Sequence, residues 1–161
     1  MRHIVVFLLV VVGVFIIDQE IKKWAIEAVN GVEYMTILKG SCIDLTLHYN
    51  RGVAFSMFAF VGVYLKWIQL VVIAAVLLFV FYEGYLKQFA FAIGLIVGGA
   101  IGNVYDRFFH EGVVDYVAWH CGFDFAIFNF ADVMIDLGVA IILLVSLIEY
   151  LRERKERKEA N

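Results

Sequence analysis

The chain has 161 residues, 63% of them hydrophobic and 18% charged, and it contains no proline. A soluble domain of this size keeps roughly half of its surface polar, so so much apolar side chain excludes a single water-soluble core and requires lipid around much of the molecule. The net charge of -3 is small and the basic residues form no stripe that could follow a phosphate backbone, which excludes nucleic acid as a partner.

A bilayer core about 30 Å thick needs roughly 20 mainly apolar residues. Four segments meet that demand. The first runs from Ile4 to Trp24. Met1-Arg2-His3 before an apolar run imitates a secretory signal, but no small-x-small cleavage site follows, and the run passes into Asp18-Gln19-Glu20-Ile21-Lys22 as a continuing helix. The segment is expected to remain in the mature protein. Asp18 and Lys22 stand one helical turn apart, where a Coulomb pair bracing the bundle is the expected role and substrate contact a secondary one.

A polar loop from Ala25 to Ser56 comes next, with strand-like stretches at Tyr34 to Leu38 and Ile43 to Tyr49 around a Gly40-Ser41 turn. The second span, Met57 to Tyr82, is interrupted by Lys66 and Gln69; the third is Phe89 to Tyr105. Within the third, Gly98, Gly99, Ala100 and Gly102 form a small-residue patch suited to close helix packing. Asn103, Asp106 and Arg107 follow at its packed end. A second loop, Asp106 to Ile127, leads to the fourth span, Phe128 to Tyr150, and a charged tail from Leu151 to Asn161.

The expected fold is therefore an all-α integral membrane protein: four transmembrane helices, a small extracytoplasmic β-sheet and a second extracytoplasmic loop, in one membrane domain over residues 1–161. An even number of spans puts both termini on one side. Arg2, Lys87 and five basic residues of the tail stand on that side against Lys22, Lys23, Lys39, Arg51 and Arg107 on the other, a bias of seven to five that places the termini in the cytoplasm. Cys42 and Cys121 are far apart and lack CxxC spacing, so neither a disulfide nor a structural metal is expected.

Charges near a bilayer are costly, by about 2.5 to 3.5 kcal/mol each at a helix centre, so each needs a partner or a purpose. Asn129, Asp132 and Asp136 at i, i+3 and i+7 share one face of the fourth span, and that face cannot point at lipid. Asp136, roughly 6 Å deeper than Asp132, is read as structural, paired with a lysine such as Lys66 or held protonated. Asp115 follows the apolar Val113-Val114 and lies seventeen positions before Asp132, a loop long enough for the two carboxylates to meet.

Two such carboxylates in a poorly polar setting share one proton. The ionised member then activates a water, and the protonated member polarises a peptide carbonyl and protonates the leaving amine. No HExxH occurs, and His48, His110 and His120 have no ligand spacing on one helix; each reads as an ordinary loop residue. Neither metal nor cofactor is expected. Two rivals remain at this point: an ion-coupled transporter, whose acids would spread through the membrane depth, and an assembly subunit, whose acids would serve helix association.

The stretches Asp18-Gln19-x-x-Lys22, Asn50-x-Gly52-x-Ala54-Phe55, Gly98-Gly99-Ala100-x-Gly102-Asn103-x-x-Asp106-Arg107, Val113-Val114-Asp115-Tyr116 and Phe128-Asn129-x-Ala131-Asp132 resemble, in order and spacing, the signature blocks of the lipoprotein signal peptidases, also called signal peptidase II. The resemblance implies a bacterial inner-membrane aspartic endopeptidase that removes signal peptides from prolipoproteins, cutting before a diacylglyceryl-modified cysteine. It implies Asp115 and Asp132 as the catalytic pair. Asn103, Arg107 and Asn129 match polar residues lining that family's site, and Asn50, Gly52, Ala54 and Phe55 match its block at the membrane end of the first loop. Asp18, Lys22, Asp106 and Ala131 complete the expected site and its support. Tyr116 departs from the family's common phenylalanine. The expected partners are lipid-modified prolipoproteins and membrane lipids, with the protein a monomer and its site near the outer face.

Overall fold

A computed structural model describes residues 1–52, 62, 64–123 and 125–159. Helix α1 is Arg2–Ala28, α2 Leu65–Tyr82, α3 Leu86–Phe109 and α4 Phe130–Glu159. All four are long and apolar enough to cross a membrane. The apolar stretch of α3 is 67% buried, against 17% in α1 and 11% in each of α2 and α4, so α3 is the centre around which the others pack. The outer three present side chains such as Leu9, Leu78 and Leu143 outward, as helices that face lipid do.

Small residues let α3 lie against two neighbours at once. A Cβ on Gly98 would stand 2.8 Å from the Cβ of Val14 on α1, and one on Gly99 would stand 2.5 Å from the carbonyl oxygen of Ala131 on α4. Gly102, four residues after Gly98, faces the Asp18 carboxylate. The Gly98–Gly102 spacing thus serves the α1 interface and Gly99 the α4 interface, the close backbone approach that small residues permit in membranes.

Helix ends are closed locally. At the end of α1, Asn30 takes φ 51° and the N–H groups of Gly31 and Asn30 return to the carbonyls of Ile26 (2.8 Å) and Glu27 (3.2 Å). Gly84, at φ 73°, does the same for α2, with Tyr85 N–H donating to Val80 at 3.1 Å and Gly84 N–H to Phe81 at 3.3 Å. The chain turns there directly into α3.

At the opposite end of α3 lies an antiparallel sheet of β1 (Thr36–Leu38), β2 (Ile43–Asn50) and β3 (Val113–Trp119), in that order. Leu47 and Val114 pack with Val29 beneath it. The register sets His48 opposite Asp115 and Asn50 opposite Val113, which brings the exit of β2 to the turn that leaves α3. Gly112 sits in that turn, where a Cβ would stand 2.5 Å from the Asn50 carbonyl oxygen.

Several expectations need correction. Cys42 and Cys121 form a disulfide, contrary to the reading of their spacing. Distance along the chain was a poor guide, because the pairing of Ile43 with Trp119 carries the two flanking cysteines to the same end of the β2–β3 pair. Asp106 and Arg107 belong to the last turn of α3 rather than to a loop, and the following loop contains a strand. The helix of the fourth span runs on through the charged tail to Glu159, supported by i, i+4 pairs of Lys155 with Glu159 (3.7 Å) and Arg157 with Glu153 (3.9 Å). Ala54, Phe55, Ser56 and the expected start of span two at Met57 lie outside the described residues.

Candidate active site

The site is assembled at the N-terminal end of α4. A helix begins with unpaired N–H groups, and here each of the first three has a different partner. Phe130 N–H donates to the Tyr116 hydroxyl at 3.1 Å, Ala131 N–H to Asp18 Oδ1 at 3.1 Å, and Asp132 N–H to Asn129 Oδ1 at 3.0 Å. Asp132 answers through Oδ2, which accepts the Asn129 N–H at 3.1 Å. That reciprocal bond is a capping box built from Asn129 and Asp132, and it fixes the rotamer of Asp132. Ala131, fully buried, leaves room for the contact with Gly99.

Below this end sits a buried cation. The Lys22 ammonium contacts Asp18 Oδ2 at 2.8 Å and Asp106 Oδ2 at 2.7 Å, and donates to Asn103 Oδ1 at 3.0 Å. The Asp18–Lys22 pair is therefore made, with Asp106 as a second carboxylate. Gln19, at 3.0 Å from Asp106 Oδ1 and 3.1 Å from Asp18 Oδ2, donates to both. Asp106 Oδ2 also accepts the Val114 N–H at 3.1 Å, which ties α3 to β3. Asp18, Lys22 and Asp106 are each no more than 1% exposed. They stand behind the site and hold its frame.

Two asparagines connect the two candidate carboxylates. Asn129 Nδ2 donates to Asp115 Oδ1 at 2.7 Å and to Asn103 Oδ1 at 3.1 Å. Asn103 Nδ2 in turn donates to Asp132 Oδ1 at 2.8 Å. Asn50, at the exit of β2, donates to Asp115 Oδ2 at 3.1 Å. Each carboxylate oxygen of the pair thus accepts one bond from protein and keeps lone-pair capacity for another donor.

Both carboxylates border one cavity of about 440 Å³, which Asn50, Asn103 and Arg107 also line. Arg107 Nη1 donates to the Asn103 carbonyl at 3.1 Å and Nη2 to that of Gly52. Gly52 N–H donates to Asn50 Oδ1 at 3.0 Å, so Gly52 fastens the end of β2 from both sides. Burial, and after it the charge of Asp132, pushes the Asp115 carboxyl up to about 7, while hydrogen bonds from Asn50 and Asn129 oppose the rise. Asp115 is 1% exposed. Near neutral pH it therefore exchanges its proton readily, which is what general acid–base chemistry requires.

Two polar residues of the cavity wall were not counted as site residues from sequence. Gln69 and Asp136 both line it. Their signal was present as polar side chains inside apolar spans. Lys66, suggested as a partner of Asp136, stands instead over the Phe108 ring, 4.6 Å from its centroid. Tyr116, the one departure from the expected motif, gives its hydroxyl to the α4 cap.

Comparison with known proteins gives consistent matches. A family described as signal peptidase (SPase) II matches residues 10–148. A lipoprotein signal peptidase of Sulfurovum sp. (strain NBC37-1) is 60% identical over 145 residues, covering 90% of this chain and 94% of that one. Those of Sulfurimonas denitrificans and Helicobacter pylori (strain P12) are 54% and 46% identical, covering 90% and 85% of this chain and 90% and 86% of theirs. A bacterial membrane enzyme solved by the in meso method at 2.3 Å resolution superposes with a TM-score of 0.76 at 28% identity, covering 89% of this chain and 88% of that structure.

The protonation of Asp115 is directly measurable. The infrared band of a protonated carboxyl, assigned by its loss in Asp115→Asn, is expected to titrate with a midpoint of about 7. Asn50→Ala removes a hydrogen bond that favours the charged form, so it moves that midpoint to higher pH. A midpoint near the ordinary value of about 4, or a downward move in Asn50→Ala, contradicts the electrostatics described.

Proposed function

Because the chain belongs to the signal peptidase II family, membrane aspartic proteases that remove signal peptides from prolipoproteins, we propose that Asp115 and Asp132 are the pair that performs the cleavage. The observation that carries this reading is the joining of the two carboxylates through Asn129 and Asn103 at a single cavity. The pair shares one proton. Asp115, whose carboxyl is pushed up to about 7, enters with it. Asp132 enters ionised and takes a proton from a water, whose oxygen attacks the scissile carbonyl carbon. Asp115 hydrogen-bonds the carbonyl oxygen as it gains negative charge. When the C–N bond breaks, a proton passes to the leaving amine of the diacylglyceryl-modified cysteine, and the signal peptide leaves with a new carboxylate. Arg107, anchored on Asn103 and Gly52, holds substrate carbonyl groups at the cavity edge.

Both termini are cytoplasmic and the site faces outward, in a bacterial cell membrane. The basic tail supports that orientation, and so does the Cys42–Cys121 disulfide on the side of the site, since such bonds persist outside the cytosol. The substrate then arrives laterally through the outer leaflet with its acyl chains still in lipid. Residues 1–161 act as a single membrane domain. Both carboxylates and the cavity lining come from one chain, which supports a monomer as the working unit.

Purified protein supplied with a diacylglyceryl-modified prolipoprotein should release its signal peptide, seen as a gel shift, and leave the unmodified precursor uncut. Asp115→Asn and Asp132→Asn should each lower turnover by about a thousandfold or more while remaining folded and inserted. Chelators should have no effect. Near-normal turnover by either variant removes the pair from the mechanism.

Orientation is tested separately, in intact cells with the Cys42–Cys121 disulfide retained. An impermeant thiol reagent should label Glu111→Cys and spare Lys158→Cys. The reverse pattern turns the protein over and removes the route for exported substrates.

A further inference from the structure

Helix α2 is the least buried of the four spans together with α4, and from Leu70 to Tyr82 it is apolar throughout. Two polar side chains interrupt its beginning. Lys66 has a place, over the face of the Phe108 ring. Gln69 does not: its Oε1 is buried and has no hydrogen-bond partner among the described residues. A carboxamide inside a membrane span with an unpaired oxygen is destabilising unless something else pairs with it.

That side chain borders the cavity of Asp115 and Asp132. Asn50, Asn103 and the two Nη atoms of Arg107, polar groups of the same wall, already have protein partners, while Arg107 Nε is a buried donor with none among the described residues. Gln69 stands one turn into α2, about 6 Å along the helix from Leu65. It thus reaches the cavity from a helix long and apolar enough to cross a membrane, on a wall that a substrate chain arriving from lipid can meet.

The substrate has the complementary need. A signal peptide crossing the bilayer as a helix satisfies its own N–H and C=O groups, whereas the scissile segment must open for a carboxylate pair to reach a carbonyl. Opening leaves main-chain donors and acceptors unpaired in a water-poor setting. A carboxamide presents one acceptor and two donors on a single planar group and can pair with a peptide group on both its N–H and its C=O.

We propose that Gln69 is a substrate-positioning residue that holds the opened main chain of the signal peptide beside the two aspartates by pairing its carboxamide with a peptide group. This rests on the prolipoprotein-cleaving reading above. It adds a contact from α2, an element that otherwise contributes no polar group to the cavity among the described residues.

The test uses full-length protein in detergent or nanodiscs and a diacylglyceryl-modified peptide substrate. Gln69→Met, similar in length but unable to form the pair, should weaken substrate binding roughly tenfold to a hundredfold. Binding is measured in the non-cleaving Asp132→Asn background and turnover in the otherwise wild-type protein, with the loss falling mainly on KM. Thermal unfolding should be unchanged or slightly raised, because the unpaired buried oxygen is gone. A second measurement keeps the question open to refutation if Gln69→Met is less stable. Substrates with single backbone amides near the scissile bond replaced by esters lack one N–H donor at a time. Wild type should lose affinity at one of these positions and Gln69→Met should not distinguish it from the amide. Equal discrimination by both proteins at every position, or unchanged binding by Gln69→Met, overturns the proposal. Failure of the wild type to cleave the all-amide substrate would instead overturn the family-based reading, so the two outcomes separate.

Discussion

The whole site hangs on one buried ammonium. Lys22 is 1% exposed and touches Asp18, Asp106 and Asn103, and each of those three continues to a different part of the molecule. Asp18 caps α4 through Ala131 N–H, Asp106 holds β3 through Val114 N–H, and Asn103 holds Asp132. One cation facing two carboxylates leaves a net negative charge in a medium where desolvation alone costs several kcal/mol per ion. The N–H groups of Ala131, Val114 and Gln19 supply the remaining stabilisation. Loss of the ammonium would strand two charges and release three elements together, which explains why a lysine is tolerated at such a depth.

Above that clamp, neutral groups rather than charges connect Asp115 and Asp132, the pair proposed to be catalytic. A lysine or arginine set between Asp115 and Asp132 would hold both ionised and leave no proton to share. Asparagine amides orient the same oxygens without deciding the protonation state. Burial and mutual repulsion are then free to push Asp115 up to about 7. The frame therefore separates two tasks: ion pairing fixes position behind the site, and amide bonding preserves acid–base freedom within it. The small residues of α3 contribute to both, since Gly102 admits the Asp18 carboxylate and Gly99 admits the first turn of α4.

Much of this was legible in the sequence because lipid imposes a strong pattern. Four apolar stretches, a small-residue patch and acids gathered near one end sufficed for the architecture. The helix ends were less so. Hydropathy marks where lipid stops, whereas the helix of α4 continues into water on strong helix formers and i, i+4 pairs. Strand β3 was missed because Val113-Val114-Asp115-Tyr116 does not alternate cleanly: all four are buried, pinned by α3 below and β2 beside. The disulfide was missed for the related reason that strand register cannot be read from cysteine spacing. Sequence allowed Asp115 and Asp132 to meet; the Asn129 and Asn103 bridge, which joins three separate segments, depends on tertiary placement. Gln69 was visible as an interruption of a span, but which way it faced was not.

The central claim is that the bridged pair activates water and makes no covalent bond to the substrate. A single turnover in heavy-oxygen water, with enzyme in excess over lipidated substrate, tests it by mass spectrometry of both products. The account predicts one heavy oxygen in the new terminal carboxylate of the signal peptide and none in Asp115 or Asp132. An unlabelled signal peptide, or heavy oxygen in either aspartate side chain, would mean that a carboxylate attacks the carbonyl itself and would contradict the account.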